Sequence, residues 1–228
     1  YIYNMPNIGL KNIDLNQEIK KYFPNVEIAA QNDANVAALG EMIYNKEYQN
    51  ACMITLGTGV GCGIVLDGKV LEGCHGDAGE VGHMGIATEY NFSCTCGLKG
   101  CLETVASATG IVRLAKYHYN EYPTQLKETF TAKDVFDLAR KNDPLCLFVL
   151  DRVGFYIAKC IAMLAVTVDV DVYYIGGGVS KAGDILIQAI EKHYQNLSHY
   201  AVKNVKIEAA KLLNDAGMLG AAGLIQRD

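Results

Sequence analysis

A short stretch rich in cysteine and glycine has the residue types and the spacing of a zinc site. Residues 94–101 read Cys-Thr-Cys-Gly-Leu-Lys-Gly-Cys, and a Glu-Val-Gly-His run ends at His83 a little upstream. Thiolates and imidazole are preferred zinc ligands, and glycines let a short loop fold tightly around one ion. Four protein ligands close the coordination sphere, which is typical of a structural rather than a catalytic metal. The predicted ligands are His83, Cys94, Cys96 and Cys101.

Two other interpretations of these cysteines stay open, namely ordinary buried thiols and a disulfide between two of them. The chain has eight Cys, and those outside the cluster occupy apolar or glycine-rich contexts that suggest no disulfide framework. They are Cys52, Cys62, Cys74, Cys146 and Cys160. We see no secretory signal in these residues and expect a reduced, cytoplasmic setting, which favours zinc over a disulfide.

Polar residues around the predicted zinc loop indicate a binding site. Zinc would fix the orientation of His83, because one ring nitrogen binds the metal and the other is left as a donor. Glu80 lies in the same run as His83, and Glu103 follows the last cysteine closely. Asn32 and Asp33 lie where a predicted strand ends and a predicted helix begins. Asp is a common helix N-cap, but a carboxylate in such polar company also suits a base that accepts the proton of a hydroxyl attacking phosphorus.

Two glycine clusters that follow apolar strands are candidates for phosphate binding. Residues 57–63 alternate glycine with other residues, which lets backbone N–H groups in a hairpin approach an anion closely. This stretch is not a Walker A motif, because no Gly-Lys-Ser/Thr follows it. Gly176, Gly177 and Gly178 lie between a strand and a helix whose N-terminus suits phosphate or ribose. Each cluster is also consistent with a tight turn that binds no ligand.

The hydrophobic pattern places these residues on an α/β framework. The predicted helices span residues 14–23, 34–44, 102–114, 133–141, 144–168, 184–194 and 216–225. The predicted strands span residues 26–30, 51–56, 62–66, 69–71, 170–175 and 205–209. A strand meander, then helices, then a strand, a glycine turn and a helix together predict a mixed β-sheet flanked by helices.

Composition argues against several classes of protein. The chain has 228 residues, of which 50% are hydrophobic and 20% charged, as in a globular protein that buries a sizeable core. Its net charge is −5 with no run of Lys or Arg, so we expect no nucleic-acid or membrane partner from this segment. The longest apolar stretch, residues 157–168, contains Lys159 and is too short to span a bilayer.

Several short motifs extend over nearly the whole chain. They are Gln-Asn-Asp-Ala-Asn-Val-Ala-Ala-Leu-Gly-Glu (31–41), Leu-Gly-Thr-Gly-Val-Gly (56–61), Ala-Gly-Glu-Val-Gly-His-Met (78–84), the cysteine run through Glu103 (94–103), Ile-Gly-Gly-Gly-Val (175–179) and Asn-Asp-Ala-Gly (214–217). In content and order they resemble the ROK family of repressors, open reading frames and kinases, in particular its bacterial glucokinases. The Glu-x-Gly-His and Cys-x-Cys-Gly-x-x-Gly-Cys-x-Glu motifs are highly specific, and the glycine clusters are less so.

The resemblance implies an actin-like ATPase fold, related to ribonuclease H, in which two lobes hold ATP and a sugar in a cleft. The implied reaction is ATP-dependent phosphorylation of a hexose, first of all glucose to glucose 6-phosphate. Asp33 would be the base that deprotonates the sugar 6-hydroxyl. The other hydroxyls would bind Asn32, Glu80, His83 and Glu103. The ATP phosphates and adenosine would lie at Gly57, Thr58, Gly59, Gly61, Gly176, Gly177 and Gly178.

One motif of the family has no counterpart here. The family's first phosphate motif, of the Asp-x-Gly-Gly-Thr type, supplies an Mg²⁺-associated Asp, whereas this chain opens at Tyr1 as if already under way. We therefore interpret the chain as a fragment. Residues 1–30 would be the end of the N-terminal lobe and the interlobe connection, and residues 31–228 the C-terminal lobe with the sugar, zinc and nucleotide sites. ATP and Mg²⁺ would bind in the full-length protein, and we expect little or no kinase activity from these residues alone.

A second function is open within the same resemblance. In a ROK transcriptional repressor this part of the chain would be a sugar-sensing effector domain, with the DNA-binding segment upstream. Residues 78–80 and the intact glycines 176–178 favour the kinase, because some repressors differ there. A zinc-stabilised scaffold that binds sugar without catalysis is a third interpretation. The resemblance further implies a homodimer or homotetramer, and it leaves the hexose open among glucose, N-acetylmannosamine, fructose, mannose and allose.

Overall fold

The computed structural model describes residues 2–5 and 9–225 of the chain. Its strands are β1 (Ile2–Met5), β2 (Leu10–Ile13), β3 (Ala51–Leu56), β4 (Val60–Leu66), β5 (Lys69–Val70), β6 (Val172–Gly176) and β7 (Lys206–Ala209). Its α-helices are α1 (Leu15–Lys20), α2 (Asp33–Tyr44), α3 (Glu103–Ala106), α4 (Ala108–Tyr117), α5 (Ala132–Ala139), α6 (Pro144–Val168), α7 (Asp184–Leu197) and α8 (Asp215–Gly223). Short 3-10 segments cover Val81–His83, Gly178–Ala182 and Tyr200–Val202. None of these described helices combines the length and the apolar character that crossing a membrane requires.

Five of the strands form one mixed sheet with the order β5-β4-β3-β6-β7. β3 pairs antiparallel with β4 and parallel with β6, and β7 joins β6 in parallel. The turn between β4 and β5 has positive φ at both Asp67 (49°) and Gly68 (71°), a conformation that Asp-Gly pairs favour in two-residue hairpins. The mixed α/β architecture predicted from the sequence is confirmed.

Helices cover both faces of this sheet. Alternate residues of β3 point to opposite faces, so that Cys52 and Ile54 join the larger core cluster and Met53 joins a smaller one. The larger cluster includes much of α6, which is buried along most of its length and contacts α7. The smaller cluster includes residues of α2, which also contacts α8. Burial on both faces explains why β3 reads as a continuous apolar run in the sequence.

The sheet topology brings the two glycine clusters to one edge. β3 and β6 run parallel, with Thr55 paired to Gly176, so their C-terminal ends lie side by side. Residues 57–59 follow β3 directly, and Gly177 follows β6. Ligands in open α/β sheets commonly bind beyond the C-terminal ends of parallel strands. We therefore expect a ligand-binding site at this edge.

Several predicted elements differ from the structure. The strand predicted at residues 26–30 is wrong: these residues form no strand and are mostly exposed, so their apolar side chains have no sheet face to cover. The helix predicted at 102–114 is divided at Ser107, whose hydroxyl accepts from Gly110 N at 3.0 Å and caps α4 as a new helix. The β1–β2 hairpin was not predicted. The remaining predicted elements are confirmed, with ends shifted by a few residues at most.

The contact between α2 and α8 depends on glycine. An ideal Cβ at Gly220 would lie 1.7 Å from the Val36 carbonyl oxygen, whereas one at Gly217, on the same helix, would meet no atom within 4 Å. We expect Gly220→Ala to lower the free energy of unfolding by roughly 1–3 kcal/mol, because the helices must separate to admit the methyl group. Gly217→Ala is the control and should be neutral or slightly stabilising. Urea denaturation measures both, and equal stability of the two variants would contradict this packing.

Candidate functional site

A cleft of about 620 Å³ opens at the edge where β3 and β6 end. Its wall contains all the residues predicted to act on the sugar and most of those predicted to hold phosphate. They are Asn32, Asp33, Gly57, Thr58, Gly59, Gly61, Glu80, His83, Glu103 and Gly177. These residues come from separate stretches of the chain, so their meeting in one cleft is a result of the fold.

Asn32 and Asp33 have different roles at the start of α2. The Asn32 side chain is the N-cap and accepts from the backbone N–H groups of Ala34 at 2.8 Å and Asn35 at 3.4 Å. The cap interpretation of Asp33 is therefore wrong, and this carboxylate is exposed at the wall of the cleft. One of its oxygens accepts from Ala34 N at 2.8 Å, and the other has no hydrogen-bond partner in the described part of the chain. That second oxygen is available to a ligand.

The turn between β3 and β4, residues 57–59, presents free backbone donors. Its position is held by Glu103, whose carboxylate accepts from Val60 N at 3.1 Å. The N–H groups of Thr58 and Gly59 donate to no acceptor within residues 2–5 and 9–225. Because both residues line the cleft, these N–H groups are available to an anion such as a phosphate oxygen.

The later glycines of the alternating cluster serve close packing. An ideal Cβ at Gly63 would lie 2.4 Å from the Ala34 carbonyl oxygen, and one at Gly61 would lie 2.9 Å from Thr55 Oγ1. Glycine lets the first turn of α2 rest this closely on β4, where a side chain would push the two apart. The alternation thus brings Asp33 beside the turn that carries the free N–H groups.

The four predicted zinc ligands lie together. Their ligand atoms all lie within 4.8 Å of one another in the cluster of His83, Cys94, Cys96 and Cys101. Cys94 Sγ is 3.5 Å from His83 Nδ1, and Cys96 Sγ is 3.7 Å from Cys101 Sγ. Tetrahedral zinc with bonds of about 2.0–2.3 Å places neighbouring ligand atoms roughly 3.3–3.8 Å apart, so the residues fit this ion. The cysteines are free, and a disulfide would need sulfur atoms about 2.05 Å apart.

The chemistry of these thiols also suits a cation. Burial, together with hydrogen bonding and charge from the neighbouring Cys96 and Cys94 thiols, raises the pKa of the Cys101 thiol to about 12. Crowded thiols oppose one another's ionisation, and a bound divalent cation favours the thiolate forms. At the exposed end of the cluster, hydrogen bonding from the Leu98 backbone lowers the pKa of Cys96. The donor set is thus one that a metal would stabilise.

His83 faces both the cysteine cluster and the cleft. Its Nδ1 is the nitrogen beside Cys94, while its Nε2 lies 3.9 Å from Glu80 Oε2. The backbone of this segment is held against β4, since an ideal Cβ at Gly82 would lie 2.1 Å from the Val60 carbonyl oxygen. A metal on Nδ1 would therefore leave Nε2 as an N–H donor on the cleft side.

A second cleft, of about 490 Å³, adjoins the first and shares the tip of the β3–β4 turn with it. The structure gives different positions to the three consecutive glycines at the end of β6. Gly178 lines the second cleft and Gly177 the first, whereas Gly176 is buried in the sheet and lines neither. An ideal Cβ at Gly176 would lie 2.4 Å from Met53 Cε, so this glycine allows tight core packing.

Sequence reasoning missed the other residues of the second cleft. They come mainly from α5 and from the 3-10 segment after β6, and are Ala108, Thr131, Ala132, Lys133, Phe136, Asp137, Arg140, Val179, Lys181 and Ala182. A capping box, in which Thr131 and Asp134 exchange side-chain and backbone hydrogen bonds, marks the start of α5 and is visible in the sequence. The spacing of the remaining residues carries no signal of a ligand.

Comparison with known proteins decides the family. The model of the ROK family matches residues 1–228. The chain belongs to the ROK family. A glucokinase from Halalkalibacterium halodurans is 41% identical to it over 240 residues, an alignment that covers 100% of this chain and 72% of that relative.

Solved ROK structures share the fold. A ROK glucokinase from Streptomyces griseus, in complex with glucose and AMPPNP, aligns with a TM-score of 0.82 at 29% identity and covers 97% of this chain and 75% of that one. A ROK transcriptional regulator, a homologue of the E. coli MLC protein, aligns with a TM-score of 0.85 at 32% identity and covers 96% of this chain and 57% of that one. The actin-like ATPase fold implied by the ROK motifs is confirmed.

Proposed function

We propose that this chain carries the hexose and nucleotide sites of an ATP-dependent hexose kinase. Its proposed preferred substrate is glucose, which it converts to glucose 6-phosphate. One observation carries the proposal: a single cleft joins the free carboxylate oxygen of Asp33 to the free N–H groups of the β3–β4 turn. Phosphoryl transfer to a hydroxyl needs a group that orients the nucleophile and a second group that binds the phosphate, with the two placed so that the hydroxyl faces the phosphorus. The glucokinase relatives support the same reaction.

In this reaction the sugar 6-hydroxyl attacks the γ-phosphorus of ATP, and the bond to the β,γ-bridging oxygen breaks as ADP leaves. Asp33 accepts the hydroxyl proton while the new O–P bond forms. The N–H groups of Thr58 and Gly59 hydrogen-bond the phosphate oxygens and stabilise the charge that they carry. Mg²⁺ accompanies ATP in reactions of this class and is the expected ion beside the phosphates.

The remaining polar residues of the cleft suit the other hydroxyls of a hexose. Glu80 and Glu103 offer carboxylate acceptors, while His83 Nε2 and the Asn32 amide group offer donors. Zinc held by His83 and the three cysteines would act structurally, by fixing the imidazole ring toward the sugar. Because the ring is already held in place, it loses little conformational entropy when the hexose binds.

The second cleft suits the adenosine of ATP. It adjoins the phosphate-binding turn, and Gly178 and the apolar side chains of Phe136 and Val179 contribute to its wall. Three cations, Lys133, Arg140 and Lys181, also line it. Asp137 pairs with both Lys133 and Arg140, so a net positive charge remains beside the triphosphate. This arrangement would place ATP along the edge of the sheet, with its γ-phosphate toward the first cleft.

The organisation expected from the sequence belongs to the same proposal. Residues 1–30 would be the end of a second lobe, and residues 31–228 the lobe that carries the sites. The separate pairing of β1 with β2, outside the main sheet, supports that division. The free cysteines suit a cytoplasmic, reducing setting. The proposed assembly is a homodimer or homotetramer, which light scattering on the purified protein measures.

A second candidate is the sugar-sensing effector domain of a transcriptional regulator, which the alignment with the MLC homologue favours. A coupled assay of the protein as its gene encodes it separates the two. With Mg²⁺-ATP and glucose, mannose, fructose, allose or N-acetylmannosamine in turn, the kinase should release ADP, fastest with glucose. Calorimetric binding of glucose without ADP release from any of these sugars would favour the effector domain.

A further inference from the structure

A hydrogen-bond network at the entry to α2 centres on Gln31. Its Oε1 accepts from the backbone N–H of Asn32 at 2.8 Å and from the side-chain Nδ2 of Asn35 at 3.0 Å. Asn35 is only 2% exposed, and its own Oδ1 has no partner among the described residues. The side chain of Gln31 therefore fixes both the Asn35 amide group and the backbone that leads into the first turn of α2.

The other end of the same amide reaches a distant loop, residues 72–79. Gln31 Nε2 donates to Glu72 Oε1 at 2.8 Å, across 41 residues of sequence. In the part of the chain that the structure describes, no other hydrogen bond joins residues 31–36 to this loop. Gly76 and Ala78 of the loop line the first cleft. Asn32, which follows Gln31 in the chain, lines the same cleft. One side chain thus links two parts of the cleft wall.

The loop is fixed at its ends and exposed between them. Ala78 N donates to the Glu72 carbonyl oxygen at 3.1 Å and closes the loop on itself. At its far end Gly79, with φ of 92°, lies so close to β4 that an ideal Cβ would be 2.2 Å from the Cys62 carbonyl oxygen. Residues 72–77 are exposed. The hydrogen bond between Gln31 and Glu72 therefore holds the near end of the loop against the segment that leads into α2.

We propose that Gln31 is a positioning residue that couples loop 72–79 to the start of α2, where Asn32 and Asp33 lie. The inference rests on the proposed function, in which Asp33 accepts the hexose proton. With the link intact, the loop wall and the carboxylate are held in one arrangement around the sugar. Without the bond between Gln31 and Glu72, loop 72–79 and the start of α2 move independently. The hexose is then held less tightly, and its 6-hydroxyl is less often in line for attack.

A charge swap tests the coupling. Gln31→Glu keeps the oxygen that accepts from Asn32 and Asn35, but it turns a carboxylate toward Glu72. At about pH 8 both carboxylates are ionised and repel each other. Adding Glu72→Gln returns a donor to the opposite side and restores the hydrogen bond in the reverse direction. In the protein as its gene encodes it, Gln31→Glu should raise the exchange rate of the Ala78 amide, which closes the loop, and the KM for glucose roughly tenfold each, with a smaller fall in kcat. The double variant should return to within about twofold of wild type.

Two further variants keep the test decisive. Glu72→Lys breaks the same bond without touching α2, so its loop exchange and KM should rise in the same way even if Gln31→Glu is unstable. Gln188→Glu, on the exposed side of α7, adds the same charge away from both clefts and should leave both quantities at wild-type values. Unchanged exchange and KM in Gln31→Glu, or no recovery on adding Glu72→Gln, would overturn the coupling. If the wild-type protein releases no ADP, the proposed function fails, and amide exchange alone decides the coupling.

Discussion

In the protein as its gene encodes it, Asp33→Asn is expected to lower the kcat of glucose phosphorylation by roughly 10²–10⁴-fold, the usual contribution of a positioned general base. Glucose affinity should change little, because the amide keeps the shape of the carboxylate. The helix should also be preserved, since Asn32 and not Asp33 caps α2. The amide cannot accept the proton of the 6-hydroxyl, so the loss falls on the chemical step. Steady-state kinetics gives kcat, and calorimetry gives the affinity for glucose.

The matched control for this variant is Asp184→Asn. Asp184 is also the first residue of a helix, α7, and is exposed, so the substitution removes the same charge from an equivalent position. It should leave kcat at the wild-type value. A near-normal kcat in Asp33→Asn would mean that Asp33 contributes only charge to the start of α2, and the assignment of the base would be wrong.

Cys96→Ser is expected to lose bound zinc and to weaken glucose affinity by roughly tenfold, the low end of the effects seen when the surroundings of a metal ligand are disturbed. Cys96 Sγ lies 3.7 Å from Cys101 Sγ, so its loss opens one corner of the ligand set. His83 then no longer has a metal to hold its ring toward the cleft. Elemental analysis measures the zinc, and calorimetry with glucose measures the affinity.

Cys74→Ser provides the comparison for this second prediction. Cys74 is a free, exposed cysteine outside the cluster, so its replacement changes the same atoms without touching a ligand. Both zinc content and glucose affinity should stay at wild-type levels. If Cys96→Ser loses zinc but binds glucose as tightly as wild type, the proposed link between the metal and the sugar site is absent.

The grouping of His83 with three cysteines could be predicted from the sequence, because Cys94, Cys96 and Cys101 lie within one short run that contains two glycines. Cysteine and histidine at such spacing have few other uses in a reduced protein. The long helix Pro144–Val168 was equally predictable, because Asp143 caps it, Pro144 starts it and apolar residues follow for its whole length. Local signals of this kind do not depend on tertiary contacts.

Other parts of the site depend on tertiary contacts that no local pattern contains. Asn32 and Asp33 are both good N-caps, and only the backbone of the folded chain shows that Asn32 has that position. Gly176 and Gly177 are indistinguishable as residues, but the neighbours of Gly176 are core side chains and Gly177 lines the cleft. The second cleft is assembled from ordinary residues of α5 and the segment after β6, which become neighbours only through folding.

A crystal structure of the protein with glucose and AMPPNP tests most directly whether one cleft holds the base, the hexose and the phosphate turn. We expect glucose O6 within about 2.6–3.2 Å of an Asp33 carboxylate oxygen, the distance over which a general base takes a proton. The γ-phosphate should accept hydrogen bonds from the N–H groups of Thr58 and Gly59. Glucose bound with O6 away from Asp33, or a triphosphate that makes no contact with residues 57–59, would contradict the account.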